Sequence, residues 1–239
     1  FDEDREVLLS SMKENGVCGI VNNAVDLKTA KVCIEFCEKY DFMYGAVGFH
    51  PENLEDMPND YLDRVAELLK HKKIVAVGET GLDYHWDISK DLQNRVFEEQ
   101  IKLSLDVNMP IIVHDREAHG DTLNYLRKYK PKALVHCFSG SVEMMREVMR
   151  YGSYISLGGV VTFKNARHSV EVAKEVPIDR LLLETDCPYM SPVPFRGKRC
   201  DSTMIKYTAE KIAEIRNTDV QELLNITCLL YTSPSPRDL

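Results

Sequence analysis

Seven short β-branched, apolar runs alternate with longer amphipathic segments almost to the end of the chain, and this alternation leaves few folds open. The runs are GVCGIVNNA (16–24), FMYGAVGFHP (42–51), KIVAVGETGLD (73–83), MPIIVHDR (109–116), KALVHCFSG (132–140), SYISLGG (153–159) and RLLLETDCP (180–188). Between them lie stretches such as LKTAKVCIEFCEKY, NDYLDRVAELLKH and LQNRVFEEQIKLSLDVN, with apolar residues at helical spacing on one face. Repeated βα units whose strands are apolar on both faces imply a parallel sheet covered by helices. With no linker or break in composition, they point to an α/β fold of the (β/α)8 TIM-barrel type. Such a barrel needs eight strands, and the chain opens instead on FDEDREVLLSSMKENG, a helix with an acidic first turn and a Gly stop. The expectation is a barrel with its first strand missing from this chain.

The strands also end alike. Apolar residues run into Asn22-Asn23, His50, Glu79, His114, His136, and Glu184 with Asp186. In a (β/α)8 barrel the C-terminal strand ends build the active face, so these residues are expected to meet at one mouth. Strand alternation predicts Val75 and Val77 beneath Glu79, Ile112 beneath His114 and Arg116, Leu134 beneath His136, and Leu182, Glu184 and Asp186 in one row. Cys137 and Cys187, one residue on, are expected to face the helices.

Two His, a Glu and an Asp from four strands form a mixed oxygen and imidazole set suited to Mg²⁺, Mn²⁺ or Zn²⁺. Glu79 can bridge two such ions about 4 Å apart, an arrangement that clamps a phosphoryl group and activates water. Asp186 can bind metal, take the water's proton, or both. A buried Glu79 with no cation would be costly, which favours the metal reading. Glu184 reads equally well as a ligand or as an ion-pair partner inside the mouth. Arg116 can clamp a phosphate oxygen or pair with Glu79 or Glu184. The loop PFRGKR gathers Arg196, Lys198 and Arg199 beside the last strand, as phosphate contacts or as a solvated charge run. Tyr84, His85 and Trp86 can stack on bases or shield the site from water.

Composition narrows the partners. A net charge of -8 provides no global field to recruit nucleic acid, so any phosphate-binding surface has to be local. Seven Cys with no C-x-x-C pair argue against a disulfide framework or zinc knuckle and fit a reducing cytoplasm. No apolar stretch approaches a membrane span.

The motifs GFHPEN, GETGLDYHWD, VHDREAHGDT, VHCFSG and ETDCPYMSPVPFRGKR, in this order and spacing, resemble the TatD-type metal-dependent deoxyribonucleases over residues 1 to about 227. The resemblance implies a (β/α)8 barrel hydrolysing DNA phosphodiesters with two divalent cations. It implies Glu79 as bridging ligand, His114 and His136 as ligands of one metal, and Asp186 as ligand of the other and as base. Arg116 and the RGKR loop are similar to phosphate-facing positions of the family, and His50 stands in a motif at the site mouth. A His-x-His pair that normally ends the family's first strand has no counterpart here. Weak or absent nuclease activity is therefore expected. Thr80 and Cys200 replace an apolar residue and an Asn. The reading takes 1–227 as the barrel domain and 228–239, CLLYTSPSPRDL, as a disordered or foreign tail whose Pro and Ser residues cannot continue a helix. Two alternatives stand beside it: an amidohydrolase acting on a small amide or lactone, and an inactive nucleic-acid-binding remnant.

Overall fold

The computed structural model describes residues 1–232. After helix α1 (Arg5–Ser10), the elements run β1 (Ile20–Asn23), α2 (Leu27–Lys39), β2 (Met43–Val47), α3 (Tyr61–Leu68), β3 (Ile74–Asp83), α4 (Lys90–Asp106), β4 (Ile111–Arg116) and α5 (His119–Tyr129). They continue with β5 (Ala133–Val135), α6 (Val142–Arg150), β6 (Tyr154–Leu157), α7 (Arg167–Glu175), β7 (Leu181–Leu183), α8 (Ile205–Arg216) and α9 (Val220–Thr232). All seven strands pair in parallel and in sequence order, with β1 and β7 at the two edges. The fold is the helix-jacketed barrel architecture expected.

Local chemistry sets the helix boundaries. Asp26 caps α2 reciprocally with Thr29, and Ser89 and Ser141 accept from Leu92 N and Met144 N at the starts of α4 and α6. Lys130 and Asn217 end α5 and α8 in the left-handed region. The main core lies between the sheet and the helices, with Val77, Phe97, Ile101, Ile111, Val113, Ile155 and Leu181 among its buried residues. A second, smaller cluster joins Ala46, Ala76 and Ile112 with Val21 and Leu134, one residue from each of β1 to β5, and fills the inside of the curl.

That inner cluster corrects the expected alternation on β3. Ala76 faces inward, and Val77 packs outward among the helices. Strict alternation would then turn Glu79 away from the mouth. The β3–β4 register shifts between Val77 and Thr80, and the irregularity turns Glu79 inward. Gly78 makes this possible: its φ is +142°, and a Cβ there would lie 2.8 Å from the Ile112 carbonyl oxygen.

The last strand is also shorter than expected. β7 ends at Leu183, and Asp186 has φ 52°, so Leu182, Glu184 and Asp186 do not share one extended face. At the end of the chain, α9 carries residues 228–232 of the expected tail as helix, because the prolines lie beyond it. Tyr231 Oη donates to Leu183 O at 2.8 Å, and Cys228 Sγ lies 3.7 Å from Cys18 Sγ. The rest of the expected tail, 233–239, lies outside the described residues. Among the described residues no helix is long and apolar enough to cross a membrane.

Candidate active site

Three imidazoles converge on one carboxylate oxygen. Glu79 Oε1 lies 3.2 Å from His50 Nε2, 3.2 Å from His114 Nδ1 and 2.7 Å from His136 Nε2. Glu79 reaches this position because its own backbone N–H donates to Ala24 O at 3.0 Å, tying the β3 irregularity to the end of β1. His50 lies beyond β2, at the start of the short turn Pro51–Asn53, where its Nδ1 accepts from Glu52 N. His136 directly follows β5, anchored by its N–H to Val113 O at 3.1 Å.

Two buried glutamines of α4 hold the backbone beside these residues in place. Gln100 accepts from Phe49 N at 2.8 Å and donates to Phe49 O at 3.0 Å and to Thr80 Oγ1, fixing the backbone beside His50. Thr80 is therefore a hydrogen-bond partner inside the fold. Gln93 does the same for Asp83, accepting from its N at 2.8 Å and donating to its O at 2.8 Å. Asp83, buried to 1% exposure, accepts from His114 Nε2 at 3.0 Å and from His85 N at 2.9 Å. Neither glutamine nor Asp83 stood out in the sequence. The seven-residue spacing of Gln93 and Gln100 on the buried face of a helix was the available signal.

The tautomers assign different tasks to His50 and His114. The Glu52 N–H occupies the lone pair of His50 Nδ1, which places the ring proton on Nε2 and makes His50 a donor toward Glu79. The ligand atoms of His50, Glu79 and His114 lie within 4.8 Å of one another, but proximity alone does not make His50 a ligand. Asp83 holds the proton of His114 on Nε2, leaving the Nδ1 lone pair facing Glu79 Oε1. Two acceptors 3.2 Å apart repel unless a cation or a proton lies between them. His136 Nε2 is buried and off the line of a hydrogen bond to Glu79, and Glu184 Oε1 is likewise buried without a hydrogen-bond partner among the described residues. This donor set fits a divalent cation.

Protons compete for the same place: burial works to lower the His114 pKa, and its hydrogen bonds to Asp83 and Glu79 raise it instead. Burial works to raise the Glu79 carboxyl pKa, but His136, His114 and His50 override it and hold it well below the usual range. Burial works to lower the His136 pKa, and the Glu79 charge lifts it instead to about 10. Asp186 is pushed up to about 6, chiefly by burial, with His136 pulling down and Glu184 and Glu79 pushing up. Glu184 accepts from Ser156 Oγ and lies 3.8 Å from His136 Nδ1. Cys137 does not turn toward the helices as expected. Its φ is 44°, and burial together with the Glu184, Asp186 and Glu79 carboxylates pushes its thiol pKa well up. Cys187 packs against Ser202, Sγ to Oγ 3.8 Å.

The expected phosphate-facing residues divide into groups. Arg116 is exposed at the end of β4, its Cζ 5.9 Å from the Trp86 ring centre. Arg196 lies 3.7 Å over Phe163, and Lys198 lies 5.7 Å from the Phe195 ring. Arg199 instead makes a two-pronged pair with Asp4 and covers Phe1, so it binds the N-terminal segment. Tyr84 is tied between helices: its hydroxyl donates to Asp121 at 2.7 Å and accepts from Asn94 at 2.8 Å, with Lys90 4.2 Å over its ring.

Known proteins resemble the chain over most of its length. A metal-dependent hydrolase of Bacillus subtilis, YabD, is 46% identical over 231 residues, covering 95% of this chain and 91% of its own length. The protein of Cronobacter sakazakii named 3'-5' ssDNA/RNA exonuclease TatD is 28% identical over 92% of this chain and 87% of its own. The crystal structure of YJJV, a TatD homologue from Escherichia coli, superposes with a TM-score of 0.89 at 28% identity, over 96% of this chain and 91% of that one. The profile of the TatD related DNase family matches residues 1–231. The barrel, the imidazole and carboxylate mouth and these matches together make the chain a member of the TatD related DNase family, metal-dependent hydrolases acting on ester bonds.

Proposed function

We propose that this chain is a phosphodiesterase acting on DNA, with Glu79, His114, His136 and Asp186 holding divalent cations. The convergence of three imidazoles on Glu79 Oε1 carries the reading, because it gathers a mixed imidazole and carboxylate donor set around one buried oxygen. Bound there, Mg²⁺, Mn²⁺ or Zn²⁺ supplies Lewis-acid stabilisation of the charge that builds on the scissile phosphate.

The protein's own groups do the rest. Asp186, with its carboxyl pKa near 6, is ionised at neutral pH yet basic enough to take a proton from water. His50 spends its Nε2–H on Glu79 and so steadies that carboxylate at the mouth. Arg116, Arg196 and Lys198 are exposed cations for the flanking phosphates, a local counterweight to the acidic chain. Arg199 is left out of this set, and Tyr84 supports the wall.

The test is hydrolysis of a labelled oligodeoxynucleotide with and without added Mg²⁺, Mn²⁺ or Zn²⁺, beside a cyclic-amide substrate. Metal-dependent cleavage of the oligonucleotide is expected. Cleavage of the amide alone overturns the reading in favour of an amidohydrolase. Metal binding without turnover of either substrate favours a non-catalytic remnant.

A further inference from the structure

The loop following β3 presents an indole beside the phosphate-facing arginine, and this pair has no part in holding the cation. Trp86 is 48% exposed, although a large aromatic side chain gains most by burial. Its backbone surroundings are fixed. Tyr84 N donates to Arg116 O at 2.9 Å, His85 N to Asp83 Oδ1 at 2.9 Å, and Ile88 N to Trp86 O at 2.9 Å. His85 meets the indole edge-on, with ring centres 5.2 Å apart, and its own ring is held by Glu117 at 3.0 Å. The indole is thus buttressed from the side through the same Asp83 that orients His114.

The neighbouring aromatic groups are occupied elsewhere. The Tyr84 hydroxyl is satisfied between Asp121 and Asn94, with Lys90 over the ring, and His85 pairs with Glu117. Arg116 lies two residues beyond His114, about 7 Å farther along the strand. Its guanidinium, 5.9 Å from the Trp86 ring centre, is at the outer limit of cation–π contact. A flat, half-exposed indole beside an exposed guanidinium matches a base next to its own phosphate: the π face takes the base, and the cation takes the phosphate oxygen.

We propose that Trp86 and Arg116 form a stacking shelf for one unpaired nucleobase of the DNA strand entering the site, Arg116 holding that nucleotide's phosphate. The shelf rests on the phosphodiesterase reading and deepens it, since a base stacked on Trp86 has left its own duplex. It selects single strands over duplexes without reading sequence, because every base offers a π face.

Trp86 is the chain's one tryptophan, so its emission reports the shelf directly. The full chain with Mn²⁺ is titrated with a phosphorothioate-linked single strand, which resists hydrolysis, with the corresponding duplex, and with a strand of the same length carrying abasic sites. Quenching by the single strand, with little change from the other two, is expected. In fluorescence anisotropy with a labelled strand, Trp86→Leu weakens binding roughly tenfold or more, and Trp86→Phe restores much of it. In turnover, Trp86→Leu raises KM more than it lowers kcat. Strand binding with silent Trp86 emission, equal quenching by the abasic strand, or unchanged affinity in Trp86→Leu overturns the shelf and leaves the phosphodiesterase reading standing. Binding of no oligonucleotide, paired or unpaired, overturns both.

Discussion

The two sides of the mouth are built differently. On the β2–β4 side, strands of five, ten and six residues deliver His50, Glu79 and His114, and two buried glutamines of α4 grip the backbone at Phe49 and Asp83. On the β7 side, a three-residue strand ends before Glu184, and Asp186 stands in a turn closed by Tyr189 N donating to its carbonyl at 2.9 Å. The first side holds its side chains through buried hydrogen bonds. The second carries a carboxylate whose pKa is set by burial and neighbouring charges. In the proposed reaction, rigid geometry suits the side that would aim lone pairs, and an adjustable proton affinity suits the side that would take a proton.

The sharpest way to break this contrast is at Glu79. Glu79→Gln keeps the shape but removes the charge on which three imidazoles converge, and hydrolysis is expected to fall at least about a hundredfold, with metal affinity lost in calorimetric titration. Retained metal affinity in this variant would mean that the cation site lies elsewhere. Next in size is Gln100→Ala, which strands the Phe49 N–H and carbonyl in the interior. A loss on the order of 3 kcal/mol is expected in urea unfolding, at about 1–3 kcal/mol for each stranded group.

A smaller, pH-dependent effect separates the β7 side. Asp186 keeps its proton below about pH 6 and gains a negative charge above it. Metal affinity of the parent is therefore expected to pull ahead of Asp186→Asn as the pH rises through 6, and the two to converge at pH 5. A gap that does not change with pH would show that Asp186 does not titrate in this range. The smallest effect is at Arg199. A double-mutant cycle of Arg199→Ala with Asp4→Ala is expected to return a weak coupling that fades with salt, while oligonucleotide affinity stays at the parent value. A clear loss of affinity in Arg199→Ala would return this residue to the phosphate-facing set.

Much of the site could be read from residue type and strand position. His114 and His136 follow apolar β-branched runs, and each rises above its expected neighbour, Ile112 or Leu134, in the inner cluster. Glu79 is a different case: the alternation rule placed Val75 and Val77 beneath it, whereas Ala76 is the inward residue, because Gly78 breaks the register. The rule assumes regular pairing, and regular pairing fails where a residue must be re-aimed. Arg199 in PFRGKR looked like its neighbours Arg196 and Lys198, yet it pairs with Asp4, 195 positions away in sequence.

The sequence by itself determined the alternation of seven strands with helices, their order in a parallel sheet and the residue types that line the mouth, because burial and periodicity are written locally. Only the tertiary structure decided which nitrogen of each histidine is free. Glu52 N–H fixes the His50 proton on Nε2, and Asp83, held by Gln93, fixes the His114 proton on Nε2. A tautomer is chosen by whatever hydrogen-bond partner the fold brings to the ring, and for His114 that partner comes from 31 positions away in sequence.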